Sequence, residues 1–219
     1  MPETKLIGIT KPVIGELKST SDMVAFVARV SNPQNQFNTL TASKLLKYLI
    51  KHKHWSPFEM VNLVIEITTT RDIARQILRH RSFSFQEFSQ RYADPTMLGF
   101  DMRETRLQDE KNRQNSLETD DEKLKRYWSI KQKQIIHETG LAYQWAIENG
   151  IAKEQARAIL PEGLISSRMY MNGTLRSWIH YCHLRMGIET QKEHREIAEL
   201  CWKIITREFP ELKELLIEE

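Results

Sequence analysis

Arg75 to Tyr92 reads RQILRHRSFSFQEFSQRY, which brings four arginines, one histidine, one glutamate and three serines into eighteen residues. Only here do cations, hydroxyls and aromatic rings crowd together. Arginine suits an anion site because its planar fork grips phosphate or carboxylate through paired hydrogen bonds and stays charged when partly buried. Serine hydroxyls can complete such a cradle. Arg71, Arg75 and Arg79 stand at four-residue steps and share one face of a helix capped by Thr70. Burial of Phe83, Phe85 and Phe88 would leave Ser84, Gln86, Glu87 and Ser89 to line a cleft. These groups support anion binding and electrostatic stabilisation. Ser89 does not read as a nucleophile, because no histidine or aspartate has the spacing of a triad.

The eight glycines stand at 8, 15, 99, 140, 150, 163, 173 and 187, so neither GxGxxG nor GxxxxGK[ST] can be written. Any bound nucleotide must have its phosphates held by side-chain cations or helix ends. The net charge of +3, from 32 Lys plus Arg against 29 Asp plus Glu, is too mild to imply nucleic acid, so the anion site is local. Cys182 and Cys201 are too far apart for a CxxC motif and read as packing residues. His180 and His183 share a helical face without further ligands at suitable spacing, so no metal is expected. His54 reads equally as a ligand contact or a surface residue. Trp145, Trp178 and Trp202 read as core or subunit contacts.

A chain of 219 residues, 40% apolar and 28% charged, is long enough for one buried domain, 1–219, and short for two. No apolar run approaches the roughly 20 residues of a membrane span. The opening MPETKLIGITKPVIGELK lacks the basic start and long apolar stretch of a secretion signal. The expectation is a cytoplasmic protein without membrane contact.

The elements that must carry the arginine block follow from periodicity. Thr4 to Ile9, and on through Val13, is extended; Ser21 caps a helix from Asp22; a second helix spans Thr41 to His52. Met60 to Thr69 is a strand, with Val61, Leu63, Ile65 and Ile67 on one face. Between Phe100 and Leu124 apolar residues almost vanish, so 101–123 reads as an exposed charged loop or ribbon without chemistry. Thr119 and Glu122 form a capping box for a long scaffold helix that stops at Asn149-Gly150. A shorter helix from Lys153 stops before Pro161, a strand spans Leu164 to Met171, and helices take Leu175 to Arg185 and Thr190 to Phe209. Few strands among many helices predict an α+β, or mixed α/β, single domain with helices packed around a small mixed or antiparallel sheet.

RHRSFSFQEFSQR resembles the signature RHRxxSxNxxSxR of the flavin-dependent thymidylate synthases at Arg79, His80, Arg81, Ser84, Ser89 and Arg91, with Gln86 in place of asparagine. ARVSNP at 28–33, HWSPFE at 54–59, ARAILP at 156–161 and GTLRSWIHYCHLR at 173–185 are similar to the family's other blocks, in the same order, and Gln191 matches the glutamine that follows. The resemblance implies reductive methylation of deoxyuridine monophosphate (dUMP) to thymidine monophosphate (dTMP). Methylenetetrahydrofolate would supply the carbon, FAD would carry hydride and NADPH would be the reductant. It also implies a homotetramer with FAD sites where chains meet.

By the same resemblance, Gln76 and Arg79 from one chain, with Glu87, Ser89, Gln90 and Arg91 from another, hold dUMP, and Arg157 and Arg185 complete its binding. Arg185, assisted by Ser89 and Arg91, carries the catalytic role by stabilising the ionised uracil imide. Ser56, Arg79, His80, Arg81, Glu87, Thr174 and His180 fall to the flavin. Thr174-Leu175-Arg176-Ser177 stands where many members have Asn-Ala-Arg-Ser, His180 where asparagine is common, and Glu189 where some have histidine. Two rivals stay open: a nucleic-acid binder using the Arg71, Arg75 and Arg79 face, and a member that keeps FAD without synthase activity.

Overall fold

The computed structural model describes residues 2–216. Among the described residues six strands form: β1 (Glu3–Ile9), β2 (Asn62–Thr70), β3 (Ser84–Glu87), β4 (Arg106–Gln108), β5 (Ser116–Glu118) and β6 (Ser166–Thr174). One antiparallel sheet has the order β1-β2-β6-β3, and β4 and β5 pair as a separate ribbon. The helices are α1 (Thr20–Ala28), α2 (Ala42–Lys51), α3 (Arg71–Ile77), α4 (Glu122–Glu148), α5 (Lys153–Ala156), α6 (Leu175–Arg185) and α7 (Lys192–Glu208). The architecture is mixed α/β, and among the described residues every strand pairing is antiparallel.

The period-two pattern places Val61, Leu63, Ile65 and Ile67 fully out of water. Leu63, Ile65 and Ile67 lie in β2 and pair with Gly173, Met171 and Met169 of β6. Side chains from α1, α2, α6 and α7, including Val24, Leu46, Trp178 and Ile197, join the same core. Trp178 ties α6 to the sheet by donating its indole N–H to the Leu63 carbonyl at 3.1 Å. On the opposite face Arg168 and Tyr170 stay exposed.

At the free edge of the sheet, Phe83 lies with its ring against the backbone of Gly173 and 4.9 Å from the Trp178 ring. A Cβ at 173 would overlap that ring, so glycine there is a packing requirement. Gly173→Ala is expected to lower stability by about 1–3 kcal/mol through overpacking. The check is the urea midpoint, and an unchanged midpoint would mean the ring moves aside freely.

Several boundaries differ from the sequence expectation, for local reasons. Ser19, not Ser21, caps α1: its hydroxyl accepts from the Asp22 N–H at 3.0 Å while the Asp22 carboxylate accepts from the Ser19 N–H at 2.9 Å. Asp121, not Thr119, caps α4, accepting from the Leu124 N–H at 2.9 Å; Thr119 holds only the Asp121 N–H. Extended structure ends at Ile9 rather than Val13. The Leu164 and Ile165 N–H groups turn back to the Pro161 carbonyl, delaying β6 to Ser166. Helix α3 ends at Ile77, so Arg79 lies beyond it and Arg71, Arg75 and Arg79 are not one helical face. Ser84–Glu87, unassigned from sequence, is a strand because Phe83 and Phe85 alternate onto the core.

Candidate functional site

The arginine block straddles α3 and the edge strand β3. Arg71 lies 3.8 Å from Glu87 and 4.0 Å from Glu162; Arg75 lies 3.8 Å and 3.1 Å from the same two carboxylates. Glu87 also accepts from the Ser167 hydroxyl at 2.9 Å. Two of the three cations required for a nucleic-acid face are therefore already matched within the chain. Arg79 and Arg81, by contrast, are exposed on either side of His80.

His80 is the hinge of the site. The last turn of α6 brings the Arg185 Nε–H to within 2.9 Å of His80 Nε2. An arginine can only donate, so Nε2 accepts and Nδ1 carries the ring proton. Burial first, then the Arg185 and Arg79 charges, hold the ring neutral by lowering its pKa to about 4. A neutral imidazole of the motif thus meets the arginine at the end of α6.

The other expected site residues fall into two groups around this hinge. Ser89 holds the Arg91 backbone N–H at 3.4 Å, Arg91 reaches Glu154 at 3.5 Å, and Gln90 between them is buried. Arg157, half-buried after α5, is close enough to act on Arg71 electrostatically. Among the residues expected at the flavin, Thr174 caps α6 by accepting from the Ser177 N–H at 3.1 Å. With Arg81, Ser82 and Ser84 it lines a pocket of about 250 Å³. His180 is exposed, its ring 5.2 Å from that of Trp55 beside exposed Ser56, and Arg176 pairs with Glu59. A cavity of about 510 Å³ opens there, with Lys47, Lys51 and Lys53 at its wall.

Flavin with a pyrophosphate requires cations and hydroxyl or N–H donors, and this chain carries them at Arg79, Arg81, His80, Ser56 and Thr174. The chemistry of this donor set fits the group; Arg79, Arg81 and Ser56 are exposed, and His80 and Thr174 half-buried. Both cysteines are fully buried, and burial pushes both thiols up, away from the thiolate a nucleophile needs. Trp178 and Trp202 are in the core, whereas Trp145 is 60% exposed.

Sequence reasoning missed three contributors. Arg103 and Arg106, from the 101–123 ribbon to which no chemistry was assigned, both reach Glu193 of α7. His194 is fully buried beside Tyr181 and Gln76. One signal existed: His194 precedes Ile197, Ala198 and Cys201 on the apolar stripe of α7, where a polar ring needs partners.

A sheet edge and a helix end gather arginines around a neutral histidine, without a glycine-rich loop, an arrangement suited to gripping anionic ligands by side chains. Residues 13–211 match the family described as thymidylate synthase complementing protein. The chain is 49% identical over 212 residues to the probable flavin-dependent thymidylate synthase of Paramecium bursaria Chlorella virus 1, covering 97% of each. It is 48% identical over 211 residues to the flavin-dependent thymidylate synthase of Synechocystis sp., covering 95% of this chain and 96% of that one. Its fold is shared with the UMP/dUMP methylase PolB from Streptomyces cacaoi bound with 5-Br dUMP, at TM-score 0.79, 23% identity and coverage of 99% and 95%. The chain belongs to the flavin-dependent thymidylate synthase family.

Proposed function

We propose that the chain reductively methylates dUMP to dTMP, with methylenetetrahydrofolate as carbon donor, FAD as hydride carrier and NADPH as reductant. The observation that carries this reading is the 2.9 Å bond between Arg185 and His80, which joins the substrate-side cation to the RHR motif across two distant blocks. Gln76, Arg79, Glu87, Ser89, Gln90, Arg91 and Arg157 hold the nucleotide, the arginines opposing its phosphate. Arg185 faces the uracil imide and stabilises the negative charge that grows as carbon 5 becomes nucleophilic. Ser56, Arg79, His80, Arg81, Glu87, Thr174 and His180 would hold the flavin, His80 contributing an Nδ1–H donor. The chemistry flavin supplies when bound is hydride transfer. No enzyme thiol takes part, consistent with the burial of both cysteines.

The working unit in this reading is one domain, 1–219, assembled as a cytoplasmic homotetramer with sites at subunit contacts. Exposed apolar side chains along α4, among them Tyr127, Trp128, Ile135, Leu141 and Trp145, support association of copies. Among the described residues, no helix is long and apolar enough to cross a membrane.

The test is the visible spectrum of protein incubated with FAD and desalted, then reduced anaerobically with NADPH with and without dUMP. Retained flavin that bleaches, with its band perturbed by dUMP, is the expected result; a colourless protein indifferent to dUMP would overturn it. Deuterium traced from labelled reductant into the dTMP methyl group separates a synthase from a member that only keeps flavin.

A further inference from the structure

We infer that His194 is a positioning residue for dUMP, holding the Gln76 side-chain amide in the one orientation that aims an N–H at the substrate; this rests on the proposed contact between Gln76 and the nucleotide. The donors and acceptors follow one chain of bonds that runs from buried His194 through half-buried Gln76 to exposed Gln191. His194 has no solvent exposure, and its two ring nitrogens meet the Tyr181 hydroxyl at 3.1 Å and the Gln76 Oε1 at 3.2 Å. The Gln76 Nε2 donates to Gln191 Oε1 at 2.8 Å, and the Gln191 Nε2 donates to Glu193 at 2.9 Å.

The far end fixes the polarity. Glu193 is gripped by Arg106 and Arg103 and, as a carboxylate, can only accept. Its partner on Gln191 must therefore be the amide nitrogen, which turns the Gln191 oxygen toward Gln76 and demands the Gln76 nitrogen there. The Gln76 oxygen then faces His194, so Nδ1 must carry the ring proton and Nε2 must accept from Tyr181. Inverting the Gln76 amide alone would set N–H against N–H at His194, which has no exposure to water, and oxygen against oxygen at Gln191, losing both bonds. A protonated ring would have to donate to Tyr181 as well. The ring is kept neutral by burial and by the charge of Arg185, with a pKa lowered to about 3.

The chain of bonds crosses from α6 through α7 to α3 and is anchored in the β4–β5 ribbon region, so it also accounts for Arg103 and Arg106. One N–H of Gln76 is spent on Gln191. The second is left for an oxygen of the nucleotide, and its direction follows from the locked amide plane.

The experiment measures dUMP binding by calorimetry, and KM and kcat by turnover, on FAD-loaded protein. His194→Leu removes the Nδ1 donor and is expected to raise both Kd and KM for dUMP about tenfold, with kcat changed less than about threefold. His194→Asn, isosteric with leucine but able to place an N–H near Nδ1, is expected to recover most of that loss. The same pair in a Gln76→Ala background should differ little, because the path to substrate is gone. Equal losses for Leu and Asn, or a His194 effect that survives intact in Gln76→Ala, would overturn the inference alone. If Gln76→Ala itself leaves dUMP binding unchanged, the contact between Gln76 and substrate fails and takes the inference with it. Should His194→Leu not fold, His194→Gln replaces it, since its longer amide reaches the Tyr181 side; equal Kd for Asn and Gln would then be the overturning result.

Discussion

Arg185→Ala is expected to lower kcat/KM for dUMP by about two to three orders of magnitude, with kcat falling alongside it and the unfolding midpoint nearly unchanged. The guanidinium sits on the last turn of α6, half-buried, where one N–H is already committed to His80. Charge on the uracil imide grows only as the reaction proceeds, so a cation placed there acts mainly on the transition state. Arg185→Lys keeps the charge and loses the fork, and should recover about a tenth of the activity. His80 supplies an independent reading of the same variant. Its pKa of about 4, against an ordinary 6.5, is set first by burial and then by Arg185 and Arg79, so removing Arg185 raises it. Because the folded pKa lies below the unfolded one, this histidine costs stability as pH falls from about 6.5 toward about 4. Arg185→Ala narrows that window. An NMR titration of the ring checks the shift, and unaltered kinetics would remove Arg185 from the active site.

Trp178→Ala is expected to be the most damaging single core change, for stability rather than chemistry. The side chain is fully buried against Phe83 and Tyr181 at ring separations of 4.9 and 5.8 Å. Truncation of a buried aromatic costs about 3–5 kcal/mol, and loss of the indole N–H bond to the Leu63 carbonyl adds about 0.5–1.5 kcal/mol. Against a total of about 5–15 kcal/mol for a domain, that is enough to unfold a marginal one. Trp178→Phe keeps one ring of the packing and loses the N–H, so a smaller cost of about 1–3 kcal/mol is expected. Urea unfolding monitored by circular dichroism distinguishes the two. A Trp178→Ala protein with a native midpoint would mean that α6 is not pinned to β2 through this ring.

The core strand was legible because its signal is local and redundant: Val61, Leu63, Ile65 and Ile67 alternate, and all four are fully buried. Helix α6 was read at both ends, Leu175 and Arg185, and the structure adds Thr174 as its cap. Caps were less legible, since Ser19 and Ser21, or Thr119 and Asp121, offer equivalent hydroxyls or carboxylates. The winner is whichever oxygen reaches the N–H three residues on. Strand β3 was missed because four residues carry too little period to outweigh the helical spacing of the arginines before it. The residues expected at the site were read from the ordered blocks, through residue type and order. The sequence by itself determined which groups are available and which local elements bear them, because hydrogen-bonding periodicity and side-chain chemistry act over a few residues. Only the tertiary structure decided that Arg71 and Arg75 are matched by Glu87 and Glu162 while Arg79 and Arg81 are exposed. It alone joined Arg185 to His80 across 105 positions and His194 to Gln76 across 118, because such contacts depend on how helices pack over the sheet, which no local spacing encodes.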